Sequence, residues 1–221
     1  MKTPITTVKL YLQVLEKMAK QNKDRETAGH LSKLEIQIDK LTRLVSDLLD
    51  LSKIQAGKLE LSMKSFDLDD MVGETAEMLQ RTVESHLFVL RLGSKRRIRG
   101  DRDRLSQVLI NFLTNAVKYS PNGDTVIIKT GVKGGKAIVS VTDQGIGIPE
   151  EYRAKIFDRF FRIEGDRERT YSGFGIGLYI SAEIVNRHGG EICVESMPGK
   201  GSTFSFSLPL AAEKKAKAKK R

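Results

Sequence analysis

Apolar residues recur at helical spacing through the first part of the chain. Ile5, Val8, Leu12, Leu15 and Met18 make one stripe, and Leu31, Leu34, Ile38, Leu41, Val45 and Leu48 make another with alternating intervals of three and four. The second stripe is a heptad seam. Between the two, Gln21 to Glu26 holds no apolar residue, and Gly57 follows the second run as a helix stop. The pattern predicts two helices joined by a short polar turn, an αα-hairpin over residues 1–58. One hairpin cannot bury both faces of its helices. The seam therefore predicts a homodimer, two copies forming a four-helix bundle; packing on a second domain of the same chain is the competing solution.

Beyond Leu59 the period changes. Asp67 and Asp70 bracket a helix start in the manner of a capping box, and Leu68, Met71, Val72, Met78 and Leu79 give that helix an apolar face. A short strand is predicted over 87–92. A helix follows over 101–117, with Leu105, Val108, Leu109, Phe112, Leu113 and Ala116 inward. Strands over 125–130 and 136–142 flank Gly134-Gly135 as a hairpin. A long polar loop leads to a helix over 176–186, stopped at His188-Gly189-Gly190, and strands over 191–196 and 202–207 complete the set. This order is not a repeated βαβ unit. The chain reads as α+β: a helical hairpin over 1–58, an α/β domain over 59–210 and a basic tail over 211–221.

Composition and charge narrow the function classes. Of 221 residues, 39% are hydrophobic, enough for a packed core and unlike a disordered or fibrous chain. The formal charge is +10, but the last eleven residues, with six Lys/Arg and one Glu, supply +5 of it. A Lys/Ala terminus of this kind reads as a solvated tail, so the charge does not argue for a nucleic-acid partner. No run approaches the roughly 18 consecutive apolar residues of a membrane span, and no signal peptide is visible. The chain reads as cytoplasmic, with any membrane anchor in regions outside it. The single cysteine, Cys193, lies in the apolar run Ile192-Cys193-Val194, which predicts a buried, inert thiol.

Four segments of the second domain carry chemistry. Asn111 and Asn115 are four apart on a predicted helix and share a face. An amide oxygen is a hard neutral ligand, suited to Mg²⁺ already held by phosphates and water. Lys118 adds a cation at phosphate range, although a surface Asn pair with a solvated Lys has the same pattern. In Asp143-Gln-Gly145-Ile-Gly147-Ile148-Pro149 an acidic residue ends an apolar strand and enters a glycine turn. A carboxylate there can accept from the exocyclic amine of adenine while the glycines let the base approach the backbone; an ordinary strand-ending Asp would look alike. Gly173-Phe-Gly175-Ile-Gly177-Leu178 opens a helix and can present backbone N–H groups to an anion. No strand precedes Gly173, so a dinucleotide-binding unit is excluded, and Gly199-Lys200-Gly201 lacks the glycine and Ser/Thr placement of a P-loop. That last segment is a tight turn into the final strand, where Thr203 can add a hydrogen bond near the base.

Taken in order, Asn111 to Tyr119, Asp143 to Pro149, Phe157 to Arg162, Gly173 to Leu178 and the turn from Gly199 to Phe204 resemble the N-box, first glycine box, phenylalanine box, second glycine box and final glycine turn of the histidine kinase catalytic and ATP-binding domain. The hairpin resembles the dimerisation and histidine-phosphotransfer domain of the same family, and the match leaves out only the tail. The resemblance implies a Bergerat-type α/β sandwich, a mixed sheet with helices on one face. It implies ATP and Mg²⁺ as cofactors, with Asn115 as the Mg²⁺ ligand, Asn111 beside the phosphates, Lys118 and Tyr119 on phosphate and nucleotide, and Asp143 reading adenine. Gly145, Gly147, Ile148, Arg162, Gly173, Gly175, Gly177, Leu178 and Thr203 would complete the nucleotide site, and residues 150–172 would form an ATP lid. Gyrase-type and MutL-type ATPases share this fold and carry Glu where this chain has Asn111. An amide is not a useful general base, so ATP should be held for transfer to a protein acceptor rather than rapidly hydrolysed. A non-catalytic dimeric scaffold is the main alternative reading, and an ATP-driven conformational machine of the gyrase type, against which Asn111 argues, is the second. The implied partner is a response-regulator receiver domain, whose Asp takes the phosphate.

The family's acceptor motif reads His-Glu-x-Lys/Arg-Thr-Pro. Met1-Lys2-Thr3-Pro4 matches its end alone, so the acceptor is expected just before Met1 and this chain is expected not to autophosphorylate. His30, His86 and His188 read as solvated or packed residues. The implied chemistry is in-line attack by a histidine nitrogen on the γ-phosphorus, with the neighbouring Glu as base. Thr3 matches the position that orients water for phosphatase action on the regulator.

Overall fold

The computed structural model describes residues 2–163 and 174–210, with side chains from Pro4 onward. The chain divides into two compact units, Met1–Leu59 and Glu60–Arg221. The tail expected over 211–221 lies outside the described residues, as do the side chain of Thr3 and the backbone of Gly173.

The first unit is helix α1 (Lys2–Gln21) and helix α2 (Arg25–Gln55). Asp24 caps α2 by accepting from the Thr27 N–H at 3.0 Å. Beyond its end, Gly57 takes φ +67°, the left-handed turn that a helix stop requires. Across the hairpin Lys9 pairs with Asp39 at 2.7 Å, and Gln13 donates to Glu35 at 2.9 Å. The heptad seam separates into two ridges. Leu31, Ile38 and Val45 are half-buried, whereas Leu34, Leu41 and Leu48 are 51%, 46% and 54% exposed. Val8, Leu15 and Met18 on α1 are exposed in the same way. The unit covers one ridge and leaves a second apolar ridge in water.

The second unit holds strand β1 (Lys64–Asp67), helix α3 (Leu68–Gln80), strands β2 (Leu87–Arg91) and β3 (Arg97–Gly100), helix α4 (Arg102–Tyr119), strands β4 (Thr125–Lys133) and β5 (Lys136–Thr142), helix α5 (Gly177–Arg187) and strands β6 (Glu191–Met197) and β7 (Gly201–Pro209). Two short 3₁₀ turns, Glu150–Tyr152 and Lys155–Phe157, lie between β5 and α5. The main sheet has the order β2-β4-β5-β7-β6. β2 and β4 are parallel and the other pairs antiparallel, so the sheet is mixed. Gly134 and Gly135 take φ +59° and +74°, as a two-residue hairpin turn needs.

Strands β1 and β3 pair with each other as a separate antiparallel ribbon that the hydrophobic pattern did not signal. Each is four residues long, and Lys64, Arg97 and Arg99 hide the alternation. The pairing is fixed by one cross-strand couple, Phe66 opposite Ile98, both turned into the core. Asp67 caps α3 as expected, accepting from the N–H groups of Asp69 and Asp70.

The core lies between the main sheet and its helices. On α4, Phe112 packs its ring 5.4 Å from Phe204 and 6.1 Å from Phe206. This contact defines the helix-covered face of the sheet. Val141, Phe204, Phe206 and Leu208 point into it, and by strand alternation Thr142 and Thr203 point to the opposite face. Alternation also corrects the expected buried thiol. Cys193 is exposed, because on the edge strand β6 it points away from the face taken by Ile192 and Val194.

Two histidines are structural. His188 Nδ1–H donates to the Ile184 carbonyl at 2.7 Å, and its Nε2 accepts from the Asp101 N–H at 2.9 Å, tying the end of α5 to the start of α4. His86 Nε2–H donates to the Ser120 carbonyl at 2.9 Å, just past the other end of α4. His30 is exposed on α2. Among the described residues no helix is long and apolar enough to cross a membrane.

Candidate functional site

The site grows from the C-terminal end of β5. Asp143 leaves the strand on the helix-covered face and is 4% exposed. Its Oδ1 accepts from the Gly145 N–H at 2.8 Å and from the Ser202 N–H at 3.2 Å. Its Oδ2 has no hydrogen-bond partner among the described residues. Burial pushes the Asp143 carboxyl above its ordinary range, and the Gly145 and Ser202 N–H groups pull it part of the way back. By linkage, this group favours the folded unit at low pH, and that contribution is lost as pH rises from the ordinary carboxylate value through the raised one.

Close backbone approach explains the glycines. A Cβ on Gly145 would lie 2.3 Å from the Tyr119 carbonyl, and one on Gly201 would lie 2.1 Å from the Asp143 carbonyl. Gly147 has φ +71°, and its Cβ would lie 2.1 Å from the Met197 carbonyl. The loop is pinned to α4 where Ile146 N–H donates to the Tyr119 carbonyl at 3.1 Å. It is pinned to the β6–β7 turn where Gly199 N–H donates to Ile146 and Ile148 N–H donates to Ser196 Oγ.

α4 brings the two asparagines along one face. Asn111 is 8% exposed, and its Nδ2 donates to Ser181 Oγ on α5 at 3.0 Å. Asn115 lies one turn further along, half-buried. Lys118 Nζ donates to the Tyr119 hydroxyl at 2.9 Å and sits 4.6 Å above that ring. The start of α5 carries no side-chain cap, and Leu178 is half-buried in its first turn. Gly175, with φ +67°, accepts from the Phe160 N–H at 2.9 Å, so the phenylalanine box grips the second glycine box through backbone. Arg162 is exposed.

Two family models match the chain. One, described as "Histidine kinase-, DNA gyrase B-, and HSP90-like ATPase", covers residues 100–212. The other, the "His Kinase A (phospho-acceptor) domain", covers residues 1–57. The chain belongs to the sensor histidine kinases. The sensor histidine kinase WalK of Bacillus subtilis is 36% identical over 217 residues, which is 96% of this chain and 35% of WalK. The circadian input-output histidine kinase CikA of Synechococcus elongatus is 40% identical over 174 residues, 76% of this chain and 23% of CikA. The chain thus spans about a third or less of these two relatives. Among solved structures, full-length ShkA in complex with AMPPNP superposes with a TM-score of 0.69 at 27% identity, covering 95% of this chain and 45% of that one. The Acinetobacter baumannii histidine kinase AdeS gives 0.65 at 25% identity, with 95% and 96% covered.

In this histidine kinase core, Asp143, Gly145, Gly147, Ile148, Tyr119 and Lys118 converge around one loop junction, with Asn111, Gly177 and Leu178 joined through α4 and α5. Thr203 stands apart. Its hydroxyl bonds the Thr142 hydroxyl at 2.9 Å on the uncovered face of the sheet, and its neighbour Ser202 contacts Asp143 instead. Three serines were missed by motif reading: Ser202, Ser196 and Ser181. Strand parity with Phe204, Phe206 and Leu208 marked Ser202 as inward-facing. Ser181, beside Ile180, was a small polar residue on the buried side of a helix.

Proposed function

We propose that the Glu60–Arg221 unit binds Mg·ATP and passes its γ-phosphate to a histidine outside these 221 residues, from which it moves to an Asp of a response-regulator receiver domain. The observation that carries this reading is the buried Asp143 carboxylate, with one oxygen pinned by two backbone N–H groups and the other uncommitted beside a glycine cradle. Such an oxygen accepts from an exocyclic amine, which selects adenine. The uncapped start of α5 offers N–H groups to the phosphates. In this reading the donor set is neutral amide, with Asn115 as ligand and Asn111 one turn before it on α4. That set fits a hard cation held mainly by phosphate, which supplies charge neutralisation at the γ-phosphoryl group when bound.

Phosphoryl transfer breaks the bond between the γ-phosphorus and the β,γ-bridging oxygen, with ADP leaving as the histidine nitrogen attacks in line. Asn111 cannot deprotonate water, which favours transfer over hydrolysis. His86 and His188 hold their neighbours by hydrogen bonds in the core and are not acceptors. With γ-labelled ATP, residues 1–221 should bind nucleotide and stay unlabelled. Acid-labile label on the chain would refute this assignment of the acceptor.

The exposed ridge of Leu34, Leu41 and Leu48 supports a homodimer through residues 1–58. Sedimentation should find a dimer at micromolar concentration, and Leu34→Glu with Leu41→Glu should convert it to monomer. A wild-type monomer would count against the interface. Thr3 orienting water for phosphatase action belongs to the same reading, and nucleic acid has no part in it.

A further inference from the structure

We propose that Ser181 is a positioning residue that makes nucleotide binding cation-dependent, by fixing which end of the Asn111 amide faces the phosphates; this rests on the reading of the site given above. Ser181 lies one turn into α5 and is 2% exposed. Its hydroxyl donates to the Gly177 carbonyl at 3.0 Å and accepts from Asn111 Nδ2 at 3.0 Å. A serine hydroxyl has one proton. With that proton committed to a backbone carbonyl, Ser181 can only accept, and the Asn111 amide must turn its nitrogen toward α5. Asn111 Oδ1 then has no hydrogen-bond partner among the described residues. It stands at the start of α5, where a Cβ on Gly177 would lie 2.7 Å from it and where no side chain caps the helix.

The orientation has a chemical consequence. A carbonyl oxygen repels a bare phosphate oxygen, because both are acceptors. The same oxygen binds a hard cation or accepts from water carried on one. The opposite amide orientation would present N–H groups and favour phosphate without a cation. Ser181 holds the first arrangement, so the site discriminates between magnesium-bound and metal-free nucleotide through a residue of the neighbouring helix.

Calorimetric titration of residues 1–221 with AMPPNP, in excess Mg²⁺ and in EDTA, tests this. Ser181→Ala should weaken magnesium-bound AMPPNP about fivefold to tenfold while metal-free AMPPNP stays within about twofold, so the ratio of the two dissociation constants collapses. Ser181→Thr, which keeps the hydroxyl, should preserve the ratio. An unchanged ratio in Ser181→Ala, or a collapse in Ser181→Thr equal to that in Ser181→Ala, overturns the proposal. Should the variants fail to fold, NMR of the wild-type chain decides. Nuclear Overhauser contacts from the Asn111 side-chain amide protons to the Ser181 β-protons are expected, and their absence rules the arrangement out. Asp143→Asn run alongside separates the two ideas. Undiminished AMPPNP binding in that variant would overturn the nucleotide site itself, whereas loss there with an unchanged Ser181→Ala ratio would overturn only the positioning role.

Discussion

Asp143→Asn should raise the dissociation constant for ATP by at least about 100-fold, roughly 3 kcal/mol, with the fold intact. The size of the effect comes from where the two backbone donors sit. The Gly145 and Ser202 N–H groups both point at Oδ1. In the variant those donors retain the amide oxygen and force the amide nitrogen into the place of Oδ2. An acceptor facing the adenine amine becomes a donor facing a donor. The same reasoning predicts a change of preference: ITP, whose base carries a carbonyl at that position, should bind the variant better than ATP does. Equal ATP affinity in wild type and variant by calorimetry would remove adenine from the site. Acidification should act in the same direction. A proton added to Asp143 goes to Oδ2, since Oδ1 is occupied by donors, and burial raises the pH at which this happens. ATP binding should therefore weaken as pH falls into that raised range, while the contribution of Asp143 to folding moves the opposite way.

Gly147→Ala should destabilise the second unit by more than about 3 kcal/mol, and Gly199→Ala by only about 1–2 kcal/mol. The two glycines have almost the same backbone angle, φ +71° and +75°. Around Gly199 nothing lies within 4 Å of an added Cβ, so only the left-handed conformation is penalised. Around Gly147 the Cβ would lie 2.1 Å from the Met197 carbonyl oxygen and 2.9 Å from Pro198 Cα, all backbone that cannot step aside. The loop would have to leave the β6–β7 turn and surrender the Ile148 to Ser196 and Gly199 to Ile146 hydrogen bonds. Urea denaturation monitored by circular dichroism checks the pair. Equal losses in both variants would show that conformation alone, and not close approach, keeps glycine at 147.

Most helices and strands were legible because each carries a complete local signal. The heptad of α2, the Asp67 cap and the Gly134-Gly135 turn are all written within a few residues. The β1–β3 ribbon was not legible, because its pairing rests on Phe66 meeting Ile98 across 32 positions and its strands are otherwise basic. The exposed Cys193 and the outward Thr203 share one cause. An apolar or motif-rich neighbourhood says that a strand is present, whereas the face a residue takes depends on register against α4. Phe112 meeting Phe204 and Phe206 sets that register.

By itself the sequence determined the membership of the family, the order of its boxes and the hairpin. These follow from residue identity and spacing, which the chain carries directly. Only the tertiary structure decided that Ser202 rather than Thr203 meets Asp143, that the heptad seam is half covered and half exposed, and that Ser181 holds the Asn111 amide. Each of those is a hydrogen bond or a burial between segments far apart in the chain. Its partner is chosen by packing, which brings α5 to α4 across 70 positions.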